Sequence, residues 1–176
     1  GGNLKGVGSM ETLGIFLNQA CLWIFAGLLI YAAWSDFKQY VIPNRIPLCI
    51  LTLYPAYVMT AGIAVEWQMA LAIAAGLLAV GLLFFAAGWM GGGDVKLITA
   101  AALWAGPEYS LHLLLLTAIA GGVLSLTVIL WSKYGWVFGM SPGEVAEKIP
   151  YGIAVAGAGL FVAGSLISSQ SAGVWP

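Results

Sequence analysis

The sequence predicts an all-α, polytopic membrane protein, a bundle of six transmembrane segments in which the fourth helix is short. Of its 176 residues, 61% are hydrophobic and only 7% are charged, with a mean hydropathy of +0.98, whereas a soluble domain carries roughly 25% charged residues. The few charges cluster between long uncharged stretches. Five of these stretches reach the length that spans a bilayer, about 20 residues. These observations exclude a water-soluble fold.

The predicted segments follow the uncharged runs of the chain. The fourth run is too short to cross a hydrocarbon core of about 30 Å at about 1.5 Å per helical residue, so it needs a neighbour or a re-entrant loop. In chain order the runs are Thr12 to Ser35, Ile46 to Val65, Trp67 to Gly93, Leu97 to Pro107, Tyr109 to Ser132 and Ile149 to Pro176.

The first nine residues differ from the rest of the chain. Residues 1–9 are glycine-rich and precede Met10, so we interpret them as a remnant added for expression. No basic stretch precedes the first apolar run after Met10, which indicates a retained helix and not a signal peptide. We expect residues 10–176 to form a single transmembrane domain.

The basic residues predict the orientation in the membrane. Apart from Lys5, they all fall in the first, third and fifth connections between segments, which the positive-inside rule places in the cytoplasm. Both termini would then lie outside. No cluster of basic residues suggests binding to nucleic acid. The five basic residues are Lys38, Arg45, Lys96, Lys133 and Lys148.

The chain has only two aspartates, and both lie at the predicted cytoplasmic side. Asp36 ends the first apolar run, where the helix dipole disfavours a carboxylate by about 0.3–1 kcal/mol. Asp94 follows three glycines and opens the short fourth segment, where the dipole favours an anion. If Trp104 marks the far interface, Asp94 lies about 15 Å below it, at membrane depth. Such a buried acid is a candidate functional residue, and the glycines imply a wet cleft around it.

Two carboxyl groups that meet in a cleft can hydrolyse an amide without a metal. One carboxylate activates water while the other, protonated, donates to the carbonyl. The dipoles favour Asp94 as the base and Asp36 as the acid, although the pair titrates together and can exchange roles. Taken singly, Asp94 is as well explained as a helix cap and Asp36 as a solvated loop residue.

Three ordered motifs resemble those of the GxGD-type aspartyl peptidases, specifically the type IV prepilin peptidases. The resemblance spans most of the chain. It implies that Asp36 and Asp94 are catalytic and that the other motif residues support them. The motifs are Asp36 with Ile42-Pro43-Asn44, then Gly91-Gly92-Gly93-Asp94 with Lys96, and Pro150-Tyr151-Gly152.

The resemblance implies an endopeptidase in the bacterial inner membrane that removes the basic leader from prepilins or pseudopilins, whose hydrophobic helix follows the cleavage site. Cleavage would occur at the cytoplasmic face. Only residues 37–44 separate Asp36 from Arg45, so the chain resembles the short peptidases of tight-adherence (Flp) pilus systems, without an N-methyltransferase region.

Other features leave alternatives open. Glu144 and Glu147 are candidates for binding the basic leader, but a solvated loop face explains them as well. Lys96 stabilises the Asp94 anion or extends toward the headgroups. No metal or organic cofactor is implied, since the two cysteines lie far from other ligands. The rival function is a small proton- or ion-coupled transporter that uses the same aspartates; a third is an inactive assembly protein.

Overall fold

The computed structural model describes residues 3–61, 65–134 and 151–171. These residues form α-helices joined by short connections, and no strand occurs among them, which confirms the predicted all-α fold. The helices are α1 (Asn3–Gln39), α2 (Arg45–Thr60), α3 (Trp67–Ala86), α4 (Gly92–Tyr134) and α5 (Tyr151–Ser171).

Four of the helices close a ring. α1 packs against α2 and α5, and α4 packs against the same two helices from the other side. α3 packs against α4, outside this ring. The connections at one end of the ring therefore bring together the end of α1 and the starts of α2, α4 and α5.

An aromatic cluster fills the centre of the ring. The ring of Trp104 in α4 stacks on that of Phe25 in α1, with centroids 4.3 Å apart, and contacts Tyr54 and Tyr57 in α2 at 5.8 and 5.0 Å. Its Nε1 donates a hydrogen bond to the carbonyl of Ile50 at 3.0 Å. Trp104 is only 3% exposed, so its side chain belongs to the interior of the bundle, and the depth of Asp94 in the membrane stays a prediction.

Gly106 divides α4 into two helical stretches. Its backbone angles, φ 58° and ψ −167°, lie in a region that is essentially restricted to glycine. The following Pro107 begins the second stretch, because proline fits the first turn of a helix but not its interior. The predicted short fourth segment thus corresponds to residues 92–105, followed by residues 107–134.

The expected number of six membrane segments is not supported. Among the described residues, four helices are long and apolar enough to span a membrane. α2 has 16 residues and reaches only roughly 24 Å. Residues 92–105 and 107–134 count as one candidate span because they follow each other directly across the break at Gly106. The four spans are Thr12–Gln39, Trp67–Ala86, Gly92–Trp131 and Tyr151–Gln170.

Large apolar side chains cover the outer surface of the helices. Phe16, Trp23, Leu83 and Ile119 are each more than half exposed. A continuous apolar exterior is unfavourable in water but suits the hydrocarbon core of a bilayer, where helices satisfy their own backbone hydrogen bonds. The protein is therefore a membrane protein of several helices.

Candidate active site

Asp36 lies in the last turn of α1, and its side chain is buried. The helix ends at Tyr40, whose φ of 51° is left-handed and reverses the chain, while its N–H still bonds the carbonyl of Asp36 at 2.9 Å. The hydroxyl of Ser35 donates to the carbonyl of Val41 at 2.9 Å and fixes this turn. Asp36 is only 5% exposed, which excludes the solvated-loop interpretation of this residue.

Asp94 lies in the first turn of α4. The turn that ends α3 leads directly into this helix. α3 ends in a Schellman motif: Gly88 has φ 74°, the N–H of Trp89 bonds the carbonyl of Phe84 at 2.9 Å, and that of Gly88 bonds Phe85 at 3.0 Å. The rings of Phe84 and Trp89 pack at 5.6 Å, the apolar contact that accompanies this motif.

The side chain of Asp94 turns back toward the start of its own helix. α4 begins at Gly92, so Asp94 is its third residue, and its carboxyl meets the backbone N–H of Gly91. This is the position from which an acidic side chain bonds the N-cap N–H, so the capping interpretation is correct in part. A Cβ on Gly91 would lie 2.8 Å from Asp94 Oδ2, which explains why glycine stands there.

The first turn of α5 packs directly on Asp36. The N–H groups of Gly152 and Ile153 face the Asp36 carboxyl, and a Cβ on Gly152 would lie 2.7 Å from Oδ2 of Asp36. Asp36 Oδ2 has no hydrogen-bond partner among the described residues. The positive end of the α5 dipole thus offsets the negative end of α1 at this carboxyl.

Ile42 brings the three predicted motifs together. A Cβ on Gly93 would lie 3.2 Å from Cβ of Ile42, and one on Gly152 would lie 2.7 Å from Cδ1 of Ile42. Ile42 is buried between these two glycines, so the starts of α4 and α5 converge on the connection that follows Asp36. The charges of Asp36 and Asp94 are close enough to interact.

A sequence model of the type IV leader peptidase family matches residues 23–126, more than half of the chain. The chain belongs to the type IV leader peptidase family. The matched range includes both Asp36 and Asp94, whereas Gly152 lies beyond it. No curated protein and no solved structure matches the chain. The resemblance to the prepilin peptidases is thereby confirmed at the level of the family.

Lys96 of this leader peptidase binds a residue of the first motif. Its Nζ donates to Oδ1 of Asn44 at 2.8 Å, so the described contact joins the start of α4 to the start of α2. Asn44 is the N-cap of α2 but makes no side-chain capping bond. Pro43 precedes it, and its carbonyl accepts from the N–H of Ile46 at 3.0 Å. Lys96 therefore holds the connection between α1 and α2 against α4.

Other predicted residues fall outside the part of the chain that the structure describes. They are Glu144, Glu147 and Pro150. Within the described part, no group of three or more His, Cys, Asp or Glu side chains is arranged to hold a metal ion.

Sequence reasoning missed Ser125 as part of the site's support. Its hydroxyl lies 2.8 Å from the hydroxyl of Tyr151, the first residue of α5 and the neighbour of Gly152. A serine in a long apolar helix gives no signal of its own, because such serines commonly bond the helix backbone instead. Only the packing of α4 against α5 reveals its partner.

Proposed function

We propose that this leader peptidase is an intramembrane aspartyl endopeptidase in which Asp36 and Asp94 form the catalytic pair. The observation that supports this most directly is their convergence: both acids lie in first or last helix turns at one end of the bundle and are close enough for their charges to interact. Asp36 is only 5% exposed, and burying an acidic side chain costs free energy unless it is protonated or paired.

The pair would hydrolyse the peptide bond by general acid–base catalysis. One carboxylate removes a proton from water as the water oxygen attacks the carbonyl carbon, and the other carboxylic acid protonates the carbonyl oxygen. The aspartate that took the proton from water then gives it to the amine as the C–N bond breaks, while the other carboxylate takes a hydroxyl proton back as the carbonyl re-forms. Mutual repulsion of two nearby carboxylates favours the singly protonated pair that this chemistry requires.

The roles of the two acids are not set by their own helices alone. The dipole of α4 favours the Asp94 anion, and the sequence predicted Asp94 as the base on this ground. However, the N–H groups of Gly152 and Ile153 also favour an anion at Asp36. We therefore propose a pair that shares its proton and exchanges roles between the two proton transfers.

Basic residues near the aspartates support an active site at the cytoplasmic face of the bacterial inner membrane. Lys38 follows Asp36 by two residues, Lys96 follows Asp94 by two, and Arg45 begins α2 at the same end. The positive-inside rule places such residues in the cytoplasm.

The short connection between α1 and α2 supports a peptidase without N-methyltransferase activity. α1 ends at Gln39 and α2 begins at Arg45, which leaves no space for an inserted cytoplasmic region there. We propose the short form, similar to the peptidases of tight-adherence (Flp) systems, which acts on small prepilins and pseudopilins.

A groove beside Asp36 suits the hydrophobic helix of a prepilin. It has a volume of about 490 Å³ and lies between residues 116–124 of α4 and residues 153–161 of α5. Ile153 lines the groove, and its N–H faces Asp36, so one end of the groove lies beside the proposed catalytic pair. Small residues on its walls permit close helix packing; they are Ala120, Ala154, Gly157 and Ala158.

The test of the catalytic pair is cleavage of a prepilin that carries its leader, by the purified protein and by Asp36→Asn and Asp94→Asn, with mass spectrometry of the new N-terminus. We expect both variants to lose cleavage. Glu66→Gln is the matched control, because Glu66 is exposed at the start of α3, and it should cleave normally. Full activity of either aspartate variant would exclude the paired mechanism, and an inactive wild type against several prepilins would favour transport or scaffolding.

The groove is tested by filling it. A Cβ on Gly157 meets nothing within 4 Å, so Gly157→Leu should fold normally while it occupies space meant for the substrate. We expect KM to rise about 10-fold or more with kcat nearly unchanged, the signature of lost substrate binding. Gly76→Leu is the control, since Gly76 in α3 is equally open. Equal KM values for the two variants would place the substrate elsewhere.

A further inference from the structure

Tyr151 connects the first turn of α5 to α4. Its hydroxyl lies 2.8 Å from Oγ of Ser125, and Ser125 Oγ donates to the carbonyl of Gly121 at 2.8 Å. A serine hydroxyl has one proton to donate, and that proton is engaged with Gly121. The tyrosine must therefore be the donor, in a chain that runs from Tyr151 to Ser125 to Gly121.

One edge of the Tyr151 ring also packs against α4. A Cβ on Gly121 would lie 3.3 Å from Cδ1 and Cε1 of Tyr151, so the ring packs on the bare backbone of α4 where no side chain intervenes. The contact at the ring edge and the hydrogen bond at the hydroxyl together restrict the position of this side chain.

The next residue carries this constraint to the catalytic pair. Gly152 packs so closely on Asp36 that a Cβ would lie 2.9 Å from the carboxyl carbon, and the N–H groups of Gly152 and Ile153 face that carboxyl. The first turn of α5 is thus held from two sides, because Tyr151 is hydrogen-bonded to α4 and Gly152 packs against α1. Asp36 Oδ2 has no hydrogen-bond partner among the described residues. The polar environment of the Asp36 carboxyl therefore depends on the position of the first turn of α5.

We propose that Tyr151 is a positioning residue, whose hydrogen bond to Ser125 holds the backbone N–H groups at the start of α5 against the Asp36 carboxyl. Tyr151 touches neither aspartate through its hydroxyl, and it acts through the backbone of its neighbour. This inference rests on the proposed aspartyl mechanism, because its effect on the rate requires Asp36 to be catalytic.

The test compares kcat and KM for cleavage of a prepilin by wild type, Tyr151→Phe, Ser125→Ala and the double variant. Tyr151→Phe keeps the ring on Gly121 and removes only the hydroxyl. We expect kcat to fall about 3- to 10-fold in each single variant, as for the loss of one neutral hydrogen bond, with KM changed less than about 2-fold. The double variant should be no slower than the slower single variant, because both changes break the same bond.

Two further variants separate positioning from a general loss of packing. Ser125→Thr keeps a hydroxyl and should restore kcat. Thr127→Val is the matched control, because Thr127 Oγ1 bonds a helix carbonyl at 2.7 Å in the same way but is exposed; it should cleave at the wild-type rate.

Hydrogen exchange followed by mass spectrometry supplies a readout other than activity. In Tyr151→Phe, the amides of residues 152 and 153 should exchange faster than in wild type, while those in the middle of α5 stay unchanged. Wild-type kcat in Tyr151→Phe, or multiplicative effects in the double variant, would overturn the proposal. An inactive wild type would overturn the aspartyl mechanism itself, and the exchange rates would still show whether the tether exists.

Discussion

Replacing Gly152 with alanine should damage the active site without unfolding the bundle. The added Cβ would lie 2.7 Å from Asp36 Oδ2 on one side and 2.7 Å from Ile42 Cδ1 on the other. Ordinary contacts of a Cβ begin at 3.4 Å, so the start of α5 or the carboxyl must move by about 0.7 Å. Because the atoms to be displaced lie on two sides, no single side-chain rotation relieves both contacts.

The size of the expected effect follows from that displacement. A misplacement of about 1 Å costs about 100-fold in rate, so we expect kcat to fall about 10- to 100-fold. Crowding of this kind costs about 1–3 kcal/mol of stability, partly offset by the better helix propensity of alanine, about 1 kcal/mol. The apparent melting temperature should therefore change little compared with the activity.

The assay measures kcat at saturating prepilin and the melting temperature in the same detergent. Gly164→Ala in the same helix is the control, since its Cβ meets nothing within 4 Å, and it should match the wild type in activity. Adding Ile42→Val to Gly152→Ala removes Cδ1, one of the two obstacles, and should restore part of the lost rate. Wild-type kcat in Gly152→Ala, or no gain from Ile42→Val, would refute the reasoning.

Three other substitutions test separate contacts. Lys96→Met removes the donor to Asn44 Oδ1 at 2.8 Å; kcat should fall about 2- to 10-fold, and an unchanged rate would show that this contact does not support the site. Gly88→Ala places a side chain at φ 74° and should lower the unfolding free energy by about 1 kcal/mol, as measured by denaturant titration; unchanged stability would contradict the Schellman ending. Trp104→Phe removes the hydrogen bond to the Ile50 carbonyl at 3.0 Å. It should lower the unfolding free energy by about 1–3 kcal/mol and leave kcat within about 2-fold of wild type. A large fall in kcat with unchanged stability would instead link the aromatic cluster to catalysis.

The membrane character and the candidate pair were predictable because they depend on local features of the chain. A long uncharged run needs only its own composition to indicate a membrane helix. Asp36 and Asp94 stand out because each borders such a run, and the glycines before Asp94 predict a wet cleft around it. In the structure, a Cβ on Gly93 would lie close to Ile42 and one on Gly91 close to the Asp94 carboxyl.

The errors arose where tertiary packing decides. Trp104 lies near the end of a short apolar run and was therefore taken as a marker of the far interface, but its indole is buried in the bundle and stacks on Phe25. Counting segments by their charged borders gave six, whereas α2 is short and residues 92–105 and 107–134 follow each other directly across the break at Gly106. The contacts of Gly152 with Asp36 and of Tyr151 with Ser125 join residues distant in sequence, and no local pattern encodes them.

The break at Gly106 also has a mechanical consequence. Residues 92–105 carry Asp94 and are anchored in the aromatic cluster through Trp104, whereas residues 107–134 carry Ser125 and one wall of the groove. An unbroken helix would transmit bending along its whole length. A hinge at Gly106 instead lets residues 107–134 rotate while residues 92–105 keep their position. When a substrate helix binds in the groove, we expect residues 107–134 to move. Residues 92–105 should stay in place and hold Asp94 still, while Asp36 and the start of α5 adjust their positions relative to it.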